Sequence, residues 1–148
     1  MVMPPFIITA LPAGEPDTGV PLARRRVADE RLPCRRCLRD AEAGDELVLA
    51  PYDPFTLRSP YAGEGPVFVH AASCERFAPA PGAVSEQVRR RVLSVRAYDA
   101  DAMMTEATVL EGERFAEHAA EALEDAGVAF LHVHFAGPGC FAFRVDRA

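Results

Sequence analysis

Three thiols and one imidazole constrain this chain more than anything else in it: Cys34, Cys37, His70 and Cys74 read C-x2-C, then residues 38–69, then H-x3-C. Two cysteines three apart can approach one ion from a tight turn, and a histidine with a following cysteine can approach it from the end of a strand. Closure across the interval would staple two sheet segments together. Three soft thiolates and one imidazole make a tetrahedral shell with no open position, the form of a structural zinc site rather than a catalytic one. Ligand type alone does not separate zinc from iron. The turn has one irregularity: Leu38 stands after the second cysteine, where a zinc knuckle usually has glycine.

The same residues admit other chemistry. A cluster of packed, reduced thiols needs no metal. A Cys34–Cys37 dithiol, its thiolates favoured by Arg35, Arg36 and Arg39, would suit a thiol oxidoreductase. Against that, the residues after Cys37 lead into loop and strand, whereas a thioredoxin-like motif opens a helix whose N-terminus stabilises thiolate. If one of the four did not ligate, water would take the open position and a zinc-dependent hydrolase would result.

The 148 residues suit a single domain, and a hydrophobic content of 49% is enough for an ordinary core, so metal is not demanded by small size. The apolar run Phe6 to Leu11 is far short of a membrane span or a signal segment, which implies a cytoplasmic protein with no membrane partner. Cysteines grouped with a histidine fit a reducing compartment better than a disulfide framework. All 16 basic residues are arginine, and seven of them fall between Arg24 and Arg39 against Asp29 and Glu30, a local charge of +5. The overall charge of −6 leaves −11 elsewhere. That balance argues against nucleic acid as a partner, while the basic stretch, Arg35 and Arg36 included, could meet an acidic protein or a small anionic ligand. A solvated arginine-rich loop is its bland alternative.

Prolines at 4, 5, 12, 16 and 21 make the first 23 residues a loop after a strand at Phe6 to Leu11. Strands are expected at Glu46 to Ala50 and Pro66 to His70, with a proline-rich loop from Pro51 to Pro66 between them and a short helix at Ser85 to Arg91. Val92 to Tyr98 and Met103 to Leu110 flank Asp99 and Asp101, acids suited to a turn more than to Mg2+. Glu113 to Ala126 is the best helix: Phe115, Ala119, Ala122, Leu123 and Ala126 share one apolar stripe, and Gly127 supplies the stop.

Gly137-Pro138-Gly139 closes a last hairpin in which Ala136 faces Cys140. Leu131, Val133 and Phe135 would then oppose Val145, Phe143 and Phe141 on the buried face. His132 and His134 would lie on the other face beside Arg144 and Ala142, a solvated strip or a second site for an anion or metal. His118 and Cys140 receive no catalytic role, and Ser59 to Pro66 reads as an ordered proline loop or a mobile lid.

Cys-Arg-Arg-Cys-Leu-Arg-Asp-Ala-Glu from Cys34, Ser-Pro-Tyr from Ser59, Gly-Pro-Val-Phe-Val-His-Ala from Gly65, Arg-Ala-Tyr-Asp-Ala from Arg96 and the ending from Gly139 together resemble an uncharacterised bacterial family, domain of unknown function 1203. The resemblance extends from Phe6 to Ala148 and implies no activity. The reading is therefore an α+β domain: a mainly antiparallel sheet, one principal helix packed on it, and long proline-containing loops. Its function would be that of a small binding or interaction module with a structural zinc site.

Overall fold

A computed structural model describes residues 6–148; Pro4 and Pro5 lie outside the described residues. In chain order the elements are β1 (Phe6–Thr9), β2 (Arg24–Val27), β3 (Glu46–Tyr52), β4 (Gly65–His70), α1 (Glu86–Arg89), β5 (Val92–Tyr98), β6 (Met104–Glu111), α2 (Phe115–Ala122), β7 (Phe130–Phe135) and β8 (Phe141–Arg147). They build two sheets, one five-stranded in the order β1-β8-β7-β5-β6 and one three-stranded in the order β2-β3-β4. Every named strand pair is antiparallel, and α2 is the main helix, so the α+β architecture read from sequence is the one observed. No helix among the described residues is long and apolar enough to cross a membrane.

The β5–β6 hairpin forms as its sequence requires. Asp99 accepts the amides of Asp101 and Met103 at 2.9 and 3.0 Å, so the acidic pair serves the turn. The principal helix is shorter than its apolar stripe suggested. Residues 112–114 form a 3-10 turn, α2 ends at Ala122, and Ala126 is exposed beyond it while Phe115, Ala119 and Leu123 are buried. The competing structure is local: the Asp125 carboxylate accepts the Gly127 amide at 2.8 Å and the Asp125 carbonyl accepts Val128. Gly112 has a steric role, because a Cβ there would lie 1.9 Å from the Val88 carbonyl oxygen of α1. The start of the basic stretch is also corrected, since Arg24–Val27 is an exposed edge strand and not a loop.

The last hairpin keeps its expected register for Leu131↔Val145 and Val133↔Phe143, then departs from it. A bulge between Val133 and His134 sets His134 opposite Phe141, and Phe135 bonds through its amide to the Cys140 carbonyl. One added residue turns the later side chains over. Phe141 consequently leaves the helix side for the outer face, where it lies against His132 and His134.

The main core lies between α2 and the five-stranded sheet. Phe6, Phe115 and Phe143 meet edge to face at 5.7 and 5.5 Å, each pair contributing about 0.5–1.5 kcal/mol beyond burial. The outer face is not solvated as the alternation had suggested. His132 is fully buried there under Phe55, Tyr98, Phe130 and Phe141, because the loop after β3 folds over it. That loop is fastened: Ser59 Oγ donates to the Ala102 carbonyl at 2.6 Å, and the rings of Tyr61 and Tyr98 are 5.7 Å apart.

Candidate metal centre

The turn at residues 33–40 carries the first two thiols and docks on the edge of β4 that β3 leaves free. Pro33 and Asp40 form an antiparallel bridge, Cys34 a parallel bridge with Phe68, and the Arg35 amide donates to the Phe68 carbonyl at 2.9 Å. The Leu38 amide closes the turn on the Cys34 carbonyl at 3.1 Å, with Leu38 at φ 53°. The left-handed step that glycine usually makes is present here with a leucine. Its side chain is fully buried in the helix-side core, which holds the strained backbone in place.

His70 ends β4 and points into the turn, while Cys74 returns from the loop that follows. That loop is pinned by Phe77, whose amide donates to the Arg36 carbonyl, and by Arg76, which donates to the carbonyls of Ala10 and Leu11 at 2.8 Å. The four candidate ligand atoms of Cys34, Cys37, His70 and Cys74 all lie within 4.8 Å of one another. Cys34 Sγ is 3.8 Å from Cys74 Sγ, and Cys37 Sγ is 3.6 Å from His70 Nδ1. The convergence expected from spacing is observed, and the group could hold a metal ion.

Asp45 was not found by sequence reasoning. With His70 Nδ1 turned to the sulfurs, Nε2–H is left to donate to Asp45 Oδ2 at 3.3 Å, the outer carboxylate that commonly orients a ligating imidazole. The Glu42 amide, and behind it His70, hold the Asp45 carboxyl below its usual range. The only signal that could have found Asp45 is the pairing of β3 with β4, which sets Leu47 opposite His70.

The thiols are unlike one another. The Cys37 side chain, together with the amides of Cys37, His70 and Arg36, outweighs burial and lowers the Cys34 thiol to about 4. Cys34 in turn pushes Cys37 up, with burial adding to it, and burial followed by Cys34 raises Cys74. Sulfurs this close repel when all are ionised, so three thiolates require a cation among them.

The remaining candidates are dispersed. Arg36 donates to the His70 carbonyl at 3.2 Å and lies 3.9 Å from Cys74 Sγ, beside the four candidate ligands. Arg35 turns the other way and is completely buried, donating to the carbonyls of Phe141 and Pro33 and to Cys140 Sγ at 2.7–2.8 Å. His134 bonds Arg96 and Gly139, and Arg144 pairs with Asp146 over the Phe130 ring. His132 and His134 are thus outside the Cys3His group.

Comparison with known families matches residues 31–147 to the family described as Protein of unknown function (DUF1203). The chain belongs to this family. The matched span includes all four thiol and imidazole residues together with Asp45. Neither the curated proteins nor the solved structures contain a match to it.

Proposed function

We propose that the chain is a small cytoplasmic binding or interaction module in which Cys34, Cys37, His70 and Cys74 hold a structural Zn2+. One observation carries the reading. With Zn–S near 2.3 Å and Zn–N near 2.0 Å, a tetrahedral shell has S···S edges of about 3.8 Å and S···N edges of about 3.6 Å. The Cys34–Cys74 and Cys37–His70 separations are 3.8 and 3.6 Å. The Asp45 carboxylate behind His70 supplies the outer hydrogen bond such a site uses. The ion would tie the 33–40 turn and the Cys74 loop to β4, and a reducing compartment keeps three thiols free to bind it. Protein purified without added metal should contain close to one zinc per chain by elemental analysis. A folded, metal-free preparation would remove the proposal.

The surface offered to an acidic protein or small anion is the basic flank. Arg25 pairs with Glu46, and Arg26 with Asp29 and Glu30, whereas Arg24, Arg31 and Arg39 have no ion pair among the described residues. A hydrolase is the second reading, favoured by a groove of about 1060 Å3 beside Cys37 whose lining includes Glu42, Glu75 and Glu86. It requires one of the four residues to leave the metal to water, and their mutual proximity supports the closed shell instead. The thiol oxidoreductase draws on the lowered Cys34 thiol, but Cys34 has no exposed surface at which to meet a substrate disulfide.

A further inference from the structure

All three tyrosines of the chain, Tyr52, Tyr61 and Tyr98, line one cleft. It lies between the outer face of the five-stranded sheet and the loop after β3, with Phe55 and Phe141 completing its aromatic walls. Its volume of about 340 Å3 is within the usual range for small-molecule sites. None of Cys34, Cys37, His70 and Cys74 lines it.

Charge selects among ligands. Arg96 on β5 reaches the cleft half-buried; its guanidinium donates to Ser94 Oγ at 3.2 Å and to His134 Nε2 at 3.4 Å, and it has no carboxylate partner among the described residues. His134 donates from Nδ1 to the Gly139 carbonyl at 3.0 Å, and burial lowers it to about 4, so it lines the cleft uncharged. Behind Cys140, another lining residue, is the buried Arg35, whose guanidinium donates to the Cys140 sulfur at 2.7 Å. The one carboxylate on the wall, Glu64, is exposed. A half-buried arginine with no carboxylate partner makes the interior favourable to an anion and unfavourable to a cation, although aromatic walls alone would accept either.

The layer behind the lining supplies an independent observation. His132 has no exposed surface and neither ring nitrogen has a hydrogen-bond partner, yet its ring is 4.7 Å from Phe55 and 5.1 Å from Phe141, both lining the cleft. An unpaired buried polar group costs about 1–3 kcal/mol, which a phenylalanine there would avoid. A polar group at that cost beside an aromatic cleft favours reading the cleft as a site.

We propose that this cleft binds a small aromatic carboxylate, its ring against the tyrosine walls and its carboxylate on Arg96. The site is distinct from the metal centre and goes beyond the zinc reading. With every tyrosine on the cleft, isotope-labelled tyrosine ring signals report binding directly. Titration of the full chain with benzoate should shift those signals saturably, with benzamide and trimethylphenylammonium each at least tenfold weaker. Arg96→Met should weaken benzoate at least tenfold, and Tyr61→Ala, at an exposed wall position, should weaken it several-fold with dispersed signals retained. Absence of a saturable benzoate shift, equal affinity for benzoate and benzamide, tighter binding of the cation, or undiminished benzoate binding by a folded Arg96→Met would each overturn the proposal.

Discussion

Leu38 sets two opposed terms against each other at one residue. Left-handed backbone costs a non-glycine residue about 1–2 kcal/mol, whereas emptying a buried leucine site costs about 2–5 kcal/mol. Burial wins, so Leu38→Gly should destabilise the chain by about 2 kcal/mol in urea unfolding; a gain in stability would show strain dominating. Asp45→Ala should weaken zinc about tenfold in competition with a chelator, through the freed imidazole, and unchanged affinity would make Asp45 a bystander. His132 fixes a pH dependence. Burial, reinforced by His134, Arg144 and Arg96, lowers its imidazole to about 3 from 6.5, so between those values the unfolded chain binds a proton that the folded chain does not. Stability is fully present above pH 6.5 and falls as pH drops through that window, by up to about 1.4 kcal/mol per unit. The difference in stability between wild type and His132→Phe should therefore change with pH below 6.5 and be constant above it; a constant difference throughout would contradict the buried neutral ring. The Cys3His group was legible because its spacing is written along the chain. Asp45 and the burial of His132 were not, since each depends on which segment lies across from it.

At the scale of elements, alternation and turn chemistry located β3, β4, β5 and β6 to within a few residues, and the helix stripe located α2. What alternation could not carry was the bulge after Val133, because an inserted residue changes facing without changing composition. The length of α2 was overstated for a similar reason: Ala126 fits the stripe, but the Asp125 side chain gives the backbone a turn in which to end. The short β2 was hidden in arginines, whose charge reads as loop although an edge strand tolerates it. If the ion joins the 33–40 turn and the Cys74 loop to β4, its removal should act unevenly. Chelation should speed amide exchange in residues 31–42 and in β3 and β4, with β5, β7 and β8 retaining protection. Uniform loss of protection would mean that the metal supports the whole fold rather than this junction.

Across the molecule, the Cys3His group and the aromatic cleft lie on opposite sides of a shared seam. Arg35 crosses it, with its backbone in the cysteine turn and its guanidinium on Phe141 and Cys140 of the last hairpin. Sequence patterning anticipated the antiparallel α+β architecture but not the second sheet or the face that the proline loop covers, because both arise from long-range pairing. The charge split has a plain structural counterpart in the exposed arginine edge of β2. X-ray absorption at the zinc edge of the protein as purified tests the central claim most directly. Three sulfurs near 2.3 Å and one nitrogen near 2.0 Å with no oxygen would meet it; no bound zinc, or a shell in which oxygen replaces one of the four, would contradict it.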